Sequence, residues 1–402
     1  MKVLQINCVC RYGSTGKITY DIHRHLLSQG FGSVVCYGRG EKPTDPGTIK
    51  ISSEGYAKVN HLLSRLRGTM YGGCRLATAR LIRIIQRVSP DVVHLQCLNG
   101  YFVNIYQLVS WLKKHRIKTV LTLHAEFMYT ANCAHALDCE KWRTGCGKCP
   151  RLRQETGSFF FDRTAWSYRR MQKAFWGFER DLTVVSVSFW LRKRAEQSPI
   201  LREMEHRTIL NGVDTAIFSY RPSKKLAEEK VIFHATAMFW DDPADLKGGW
   251  YLLELAKRLR DIPVRFLVAG KFKVSSPVPE NVTLLGEIRD REVLAGYYSS
   301  ADITLLTSRR ETFSMVCAES LCCGTPVVGF EAGAPEEICL PEYSEFVPPR
   351  DLDALESAVR KWLDQPKDKA RISREAVSRY DQKKMLREYT RLYRRVTHEA
   401  AR

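Results

Sequence analysis

The sequence predicts an α/β protein made of two doubly wound domains that face each other across a cleft. Three observations carry this. At 402 residues the chain exceeds what one ordinary core accommodates, so two domains are expected. Short β-branched runs alternate with helical segments from the N-terminus onward, the rhythm of an open parallel sheet. That rhythm gives way to polar, charged sequence near Arg221 and then starts again.

Val3–Ile6 reads as the first strand, followed by a helix over about 17–29 and a strand over Ser33–Tyr37. Asp91–Gln96 and Lys118–His124 are the next strands, with a helix over 105–115 between them, and Leu182–Val187 follows. The linker falls where Ile209–Phe218 yields to Arg221-Pro-Ser-Lys-Lys. In the second half Val231–His234, Val264–Ala269, Val282–Leu285, Ile303–Leu306 and Pro326–Gly329 read as strands. The last stretch, from about 372 to 402, is expected to be helical, with Tyr380, Met385, Tyr389, Leu392 and Tyr393 along its apolar side. The expected domains are therefore 1–214, carrying a cysteine-rich insertion at 132–150, then 215–372, with 373–402 as a terminal helix.

With 44% hydrophobic and 27% charged residues the chain is globular, not disordered. It has no run of about 18 apolar residues, so no spanning helix is expected. Gln5 and Asn7 interrupt the short apolar N-terminus, which reads as a strand and not as a signal peptide. A cytoplasmic protein is expected, with its 13 cysteines reduced unless a metal holds them.

The chemistry concentrates in Glu311-Thr-Phe-Ser-Met-Val-Cys-Ala-Glu319. Two glutamates eight positions apart lie just over two helical turns apart, so a helix through both points them to nearly the same side. Phe313, Val316 and Cys317 supply its apolar face, and Gly324-Thr-Pro ends it. Buried carboxylates need polar partners, and sugar hydroxyls are such partners. A solvated helix face is the plainer reading of the spacing alone. The strands on either side, Asp302–Ser308 and Val327–Phe330, make the pattern specific.

Other candidates sit where open α/β sheets bind ligands, beyond the carboxyl ends of strands. Gly13 and Gly16 in Arg11-Tyr-Gly-Ser-Thr-Gly-Lys17 let a ligand approach the backbone ahead of a helix N-terminus. This is not a P-loop, which needs Gly in place of Arg11 and Ser or Thr in place of Ile18. His124 ends a strand, and His94 is a weaker candidate of the same kind. Lys247-Gly248 follows the first strand of the second half, with a surface turn as the competing reading. Cys133, Cys139, Cys146 and Cys149 form a closed four-thiolate zinc set if drawn together, with free buried thiols as the alternative and His135 as a replacement ligand.

The Glu-x7-Glu block and its flanking strands resemble the signature of family 4 glycosyltransferases, retaining enzymes of GT-B fold. The resemblance implies a sugar transferase using a nucleotide-diphosphate sugar, with His124 and Glu311 at the donor sugar and Glu319 on the nucleotide ribose. Thr312, Phe313 and Ser314 at the helix start, Lys247, and the Gly13–Gly16 loop would serve the donor phosphates. A terminal helix crossing back to the first domain is also implied. Two departures stand out. Relatives read His-Asp where Ala125-Glu126 follows His124 here, so only His124 is carried over. The Arg expected soon after Val231–His234 is missing, with Ala237 or Met238 near its place and Arg309 or Arg310 as substitutes. The cysteine-rich insertion is similar to one in a subgroup that builds bacterial exopolysaccharide, capsule or O-antigen. No catalytic metal, a structural zinc, and a lipid-linked oligosaccharide acceptor are the matching expectations.

The formal charge of +19 calls for an acidic partner. Lys58, Arg65, Arg67, Arg75, Arg80, Arg83 and Arg87 interleave with leucines and isoleucines, and Arg163, Arg169, Arg170 and Lys173 with Trp166, Phe175 and Trp176. Cationic helices with apolar faces suit an anionic membrane surface, here the inner face of the cytoplasmic membrane. A zinc-containing nucleic-acid-binding protein and a GT-B nucleotide-sugar epimerase are the alternatives. The first leaves the Glu-x7-Glu block unexplained, and no nucleic-acid partner is expected.

Overall fold

The structure, a computed structural model, describes residues 1–42, 44–222 and 229–398. Ser223, Lys224 and Lys225 of the expected linker, and the last four residues of the expected terminal helix, lie outside these. The chain divides into two compact units, Met1–Leu210 together with the chain from Leu386 onward, and Asn211–Met385.

The first unit is built on seven parallel strands, β1 (Lys2–Asn7), β2 (Gly32–Tyr37), β3 (Thr48–Lys50), β4 (Val92–Leu95), β5 (Thr119–Leu123), β6 (Leu182–Ser186) and β7 (Glu205–Thr208). Their order is β3-β2-β1-β4-β5-β6-β7, so the direction of winding reverses between β1 and β4. Every residue of β4, β5 and β6 is buried, as expected where helices cover both faces of a parallel sheet. The edge strands β3 and β7 were not foreseen. Glu-His-Arg-Thr in β7 is only partly buried, and such an edge carries no apolar run to betray it.

The second unit repeats the plan with six parallel strands, β8 (Lys230–Trp240), β9 (Val264–Lys273), β10 (Val282–Gly286), β11 (Ile303–Leu306), β12 (Val327–Phe330) and β13 (Ser344–Val347), in the order β10-β9-β8-β11-β12-β13. Ile232, Phe266, Val268, Ile303, Leu305 and Val328 from the strands form its core with Leu252, Leu255 and Val359 from the helices. Here the winding reverses between β8 and β11.

Two helices depart from expectation. The first runs from Gly13 to Ser28, four residues earlier than the apolar period suggests, so Gly13 and Gly16 lie on it. The terminal stretch is two helices, Lys369–Tyr380 and Gln382–His398. They part because the Tyr380 carbonyl accepts from Val213 N–H (2.7 Å) and Gln382 N–H donates to the Val213 carbonyl (2.8 Å), a parallel bridge that removes these groups from the helical ladder. Tyr380, Met385, Tyr389, Leu392 and Tyr393 are all buried. Among the described residues no helix is long and apolar enough to cross a membrane.

Candidate active site

In the second unit Lys247 and Glu311 meet at the point where winding reverses, Lys247 following β8 and Glu311 following β11. Lys247 Nζ lies 2.6 Å from Glu311 Oε1. Local geometry sets this up. Asp245 Oδ2 accepts the Lys247 and Gly248 N–H groups at 2.8 and 3.2 Å, and Thr307 Oγ1 donates to the Lys247 carbonyl at 3.0 Å. Gly248 sits at φ +70°, and a Cβ there would stand 2.1 Å from the Thr307 carbonyl oxygen, so only glycine fits. The helix Gly249–Arg258 starts at once. Burial alone would lower the Lys247 pKa, but the Glu311 carboxylate outweighs it and holds the ammonium charged above its ordinary range.

Glu311 and Glu319 do not share a helix. The helix is Met315–Cys322, and Glu311 precedes it in an isolated bridge to Gly333. Its N–H donates to Ala332 (2.9 Å) and its carbonyl accepts from Ala334 N–H (3.2 Å), engaging the groups a helix would have used. Ser314, at φ +76°, turns the chain, and its Oγ accepts from Cys317 N–H at 3.4 Å as the N-cap. Thr312, Phe313 and Ser314 are all buried. The Phe313 ring packs edge-on against Tyr380, with centroids 6.4 Å apart, which leaves its backbone rather than its ring to serve a ligand. Glu319, half-buried on the helix, faces Tyr298; burial first, and this carboxylate next, push the phenol well above its usual range. Of the substitutes for the missing arginine, Arg309 donates through Nη1 to the Ala244 carbonyl (2.9 Å) and so fastens the segment leading to Lys247, while Arg310 is half-buried. His234 is a core histidine, its Nδ1 2.9 Å from the Leu305 carbonyl.

In the first unit a turn after β1 leads into the helix whose first residues are Gly13–Gly16. Arg11 N–H donates to the Gly16 carbonyl (3.0 Å), and a Cβ on Gly16 would lie 2.9 Å from Val9 Cγ2, so the small residue allows the turn to close. A cavity of about 610 Å³ beside it is lined by Cys10, Arg11, Tyr12 and Tyr37 among others. His124 stands at the end of β5, half-buried, with Nε2 2.7 Å from Gln96 Oε1.

That contact belongs to a chain. Gln96 Nε2 donates to Gln5 Oε1 (3.2 Å) and approaches His94 Nδ1 (3.4 Å), which also accepts from the Tyr393 hydroxyl (2.7 Å). His94 Nε2 meets Thr122 Oγ1 (2.7 Å), and Thr122 meets the Tyr389 hydroxyl (3.0 Å). Burial lowers the pKa of His124 to about 4 and of His94 to about 3, so both are neutral near pH 7. Neutral His124 then donates from Nε2 to Gln96 and keeps Nδ1 as an acceptor. His94, wholly buried, supports His124 instead of facing a ligand. Gln96 was not singled out in the sequence, although a glutamine at the carboxyl end of Asp91–Gln96 was a usable signal, and Tyr389 and Tyr393 read there only as the apolar side of the terminal stretch.

Glu126 lies away from this chain. It is fully buried and paired with Arg194, whose Nε is 2.8 Å away, and it accepts the Ala136 N–H at 2.6 Å and the Tyr129 hydroxyl. The four cysteines of the insertion are free and neighbour one another, with Cys146 in the field of Cys139 and Cys149, and Cys133 in that of Cys146. Burial pushes the Cys133 and Cys146 thiols up to about 12. Among the described residues no three His, Cys, Asp or Glu side chains are gathered so as to hold a metal ion.

The glycosyltransferase family 4 model matches residues 15–217, half of the chain, and the glycosyl transferases group 1 model matches residues 242–379, from just before Lys247 to beyond Glu319. This chain belongs to glycosyltransferase family 4. Over 98% of this glycosyltransferase and 99% of the other chain, it is 25% identical to WcaC of Escherichia coli K12, a glycosyl transferase assigned to colanic acid biosynthesis. It is 31% identical to the MMP alpha-(1->4)-mannosyltransferase of Mycolicibacterium hassiacum, over 40% of each chain. Among solved structures it resembles sucrose-phosphate synthase of Thermosynechococcus elongatus (TM-score 0.67, 16% identity, 98% and 99% of the chains covered). It also resembles Anabaena HepE in complex with UDP-glucose (TM-score 0.67, 14% identity, 98% and 99% covered). The fold of this glycosyltransferase is GT-B.

Proposed function

We propose that this glycosyltransferase is a retaining hexosyltransferase that moves a sugar from a nucleotide-diphosphate donor to a lipid-linked saccharide in bacterial exopolysaccharide, capsule or O-antigen synthesis, at the inner face of the cytoplasmic membrane. The observation that carries the reading is the Lys247–Glu311 pair at the winding reversal of the second unit. An ammonium held charged beside a helix start is suited to a leaving diphosphate, and a carboxylate next to it to a sugar. His124 would offer Nδ1 as an acceptor to a sugar hydroxyl, with Gln96 fixing the ring. The full-length likeness to WcaC supports a polysaccharide product, and the UDP-glucose complex of HepE supports a nucleotide-sugar donor. Both matching families are transferases, which favours neither an epimerase nor a zinc nucleic-acid protein.

A panel of nucleotide sugars in thermal-shift assays tests this reading, because a ligand bound only by the folded state raises its melting temperature. The donor so found is then assayed with lipid-linked acceptors, and the anomeric configuration of the product decides retention. Glu319→Ala should weaken that donor by roughly 10- to 100-fold, the loss of a charged hydrogen-bond partner worth about 1.5–3 kcal/mol. Unchanged donor affinity in a folded Glu319→Ala protein removes the ribose role.

No catalytic metal is proposed, so transfer should survive brief chelation. For the insertion we keep structural zinc as the proposal, supported by four thiols within 17 residues of one another, though binding would have to deprotonate them and draw them together. Metal analysis should find about one zinc per chain, lost when Cys146 and Cys149 become Ser. A metal-free protein of unchanged stability would establish free thiols.

A further inference from the structure

The helix Glu54–Arg67 is turned the wrong way for a core helix. Its buried side chains are the small Ala57 and Ser64, while Val59, Leu62 and Leu66, at i, i+3 and i+7, face solvent as one stripe. Leu62 is 54% exposed. Beside its C-terminal end stand three consecutive exposed aromatics, Phe159, Phe160 and Phe161, with Phe160 71% exposed. They are not a loose loop. Phe159 N–H donates to the Arg65 carbonyl (3.0 Å), Arg65 Nε donates to the Gly157 carbonyl (3.0 Å), and the Arg65 guanidinium lies 4.1 Å from the Phe159 ring centroid. Ser158 Oγ donates to the Phe161 carbonyl (2.8 Å) and closes the turn. The rings are thus held outward by a backbone tied to the helix.

Cations predominate around this apolar surface; the exposed carboxylate beside Phe161, Asp162, accepts the Cys149 (2.6 Å) and Thr164 (2.9 Å) N–H groups. Lys58, Arg67, Arg163 and Arg169 are exposed, Arg163 lying 5.5 Å from the Phe161 ring centroid. Trp166 packs edge-on against Tyr106, and the Arg170 guanidinium lies over both rings. Next to them a cavity of about 450 Å³ is lined by Arg75, Arg170 and Lys173 and, among the described residues, by no carboxylate. Its remaining lining includes Asn104, Gln107 and Ser110, which can hydrogen-bond phosphate oxygens.

We propose that this face docks on an anionic phospholipid bilayer, the Phe159–Phe161 turn and the Val59–Leu62–Leu66 stripe entering the acyl boundary while Arg75, Arg170 and Lys173 hold a lipid phosphate. Charge complementarity selects this occupant. A contiguous exposed apolar face ringed by cations matches an interface whose interior is apolar and whose surface is negative. A second copy of a chain carrying +19 would bring like charge onto like charge. The inference rests on the reading that the acceptor is lipid-linked. Vesicle binding is measured without donor or acceptor, so its failure leaves the transfer chemistry standing, and a failed transfer assay leaves vesicle binding standing.

The test uses the full chain with vesicles of phosphatidylcholine alone or with phosphatidylglycerol admixed. Binding is expected on the mixed vesicles, little on the neutral ones, with release at roughly molar salt. The triple variant Phe159→Ser, Phe160→Ser, Phe161→Ser should partition about 10- to 100-fold more weakly at low salt. Phe160→Ser alone, at the most exposed ring, is the control that keeps its fold and should weaken binding by about threefold or more. The part of the tryptophan fluorescence that Trp166→Phe removes should be quenched by brominated lipid. Variants that bind as the unaltered chain does, equal partitioning onto neutral vesicles, or an unquenched Trp166 would each overturn the proposal. So would a dimer that the triple variant loses, or duplex-DNA binding that falls in parallel with the rings.

Discussion

Lys247→Ala is expected to lower kcat by about 10²–10³ with a smaller change in KM, the scale of losing one preorganised donor at developing charge. In the proposed reaction negative charge grows on the departing diphosphate, and an interaction stronger in the transition state than in the ground state appears in kcat. The structure gives the ammonium little freedom. Asp245 fixes the backbone of residues 247 and 248, Thr307 holds the Lys247 carbonyl, and Glu311 anchors Nζ at 2.6 Å. Removing it also takes the Lys247 ammonium away from the Glu311 carboxylate, 15% exposed, so the loss includes the disturbance of a second group at the same place. Lys247→Arg keeps the charge and should retain more activity than Ala, but not all of it, because a planar guanidinium does not occupy the position of a compact ammonium. Steady-state kinetics with the donor found in the thermal-shift panel, on proteins with matched circular dichroism, measure both. A folded Lys247→Ala enzyme with unaltered kcat takes this residue out of the chemistry.

What could be read from the residues, and what could not, follows the reach of local pattern. Interior strands such as β4 and β5 are continuous apolar runs because both faces are covered, and they stand out. The edges β3 and β7 do not, since one side meets water and their residues are polar or few. The Glu-x7-Glu spacing invited a single helix, because helical period is a local property. What denies Glu311 the helix is pairing with residues 332–334, about twenty positions on, which no local period encodes. His124 was legible as a strand-ending histidine. Its support was not: Gln96 lies 28 residues away in sequence, and Tyr393 lies 299 from the His94 it binds. The basic cluster around Trp166 was visible in the sequence, yet Phe175 beside it proves wholly buried while Trp176 is exposed, a division that helix packing decides. Three consecutive phenylalanines would ordinarily read as core, and only the ties of Ser158 and Arg65 reveal that they point outward.

Glu126, which follows the Ala125 that stands in place of the expected Asp after His124, should prove structural, and Arg194→Met should show it. Glu126 is fully enclosed and accepts hydrogen bonds from Arg194 Nε (2.8 Å), Ala136 N–H (2.6 Å) and the Tyr129 hydroxyl. The Arg194 guanidinium lies 4.8 Å from the Trp142 ring centroid and 5.1 Å from that of Trp190, and Nη1 reaches Glu140 at 3.4 Å. Ala136, Glu140 and Trp142 all belong to the cysteine-rich insertion, while Arg194 lies on the helix Phe189–Ala195, so this pair ties the insertion to the first unit beside the Tyr71 and Tyr168 hydroxyls, which donate to the Asn132 (2.9 Å) and Trp142 (2.8 Å) carbonyls. Burial would lower the arginine pKa, and the Glu126 carboxylate raises it above its ordinary range instead, which keeps the guanidinium charged. Taking away the cation leaves a buried carboxylate uncompensated, at a cost of about 3–5 kcal/mol. For a unit of this size that lowers its melting transition by roughly 6–20 °C. The double variant Glu126→Met with Arg194→Met removes both charges and should be markedly more stable than Arg194→Met alone, since a matched apolar pair carries no stranded charge. If Glu126 has no part in transfer, the double variant also keeps kcat at temperatures where it is folded. A double variant that is stable but inactive would return Glu126 to the reaction, and a single variant within about 1 kcal/mol of the unaltered protein would show that the insertion is held by other contacts.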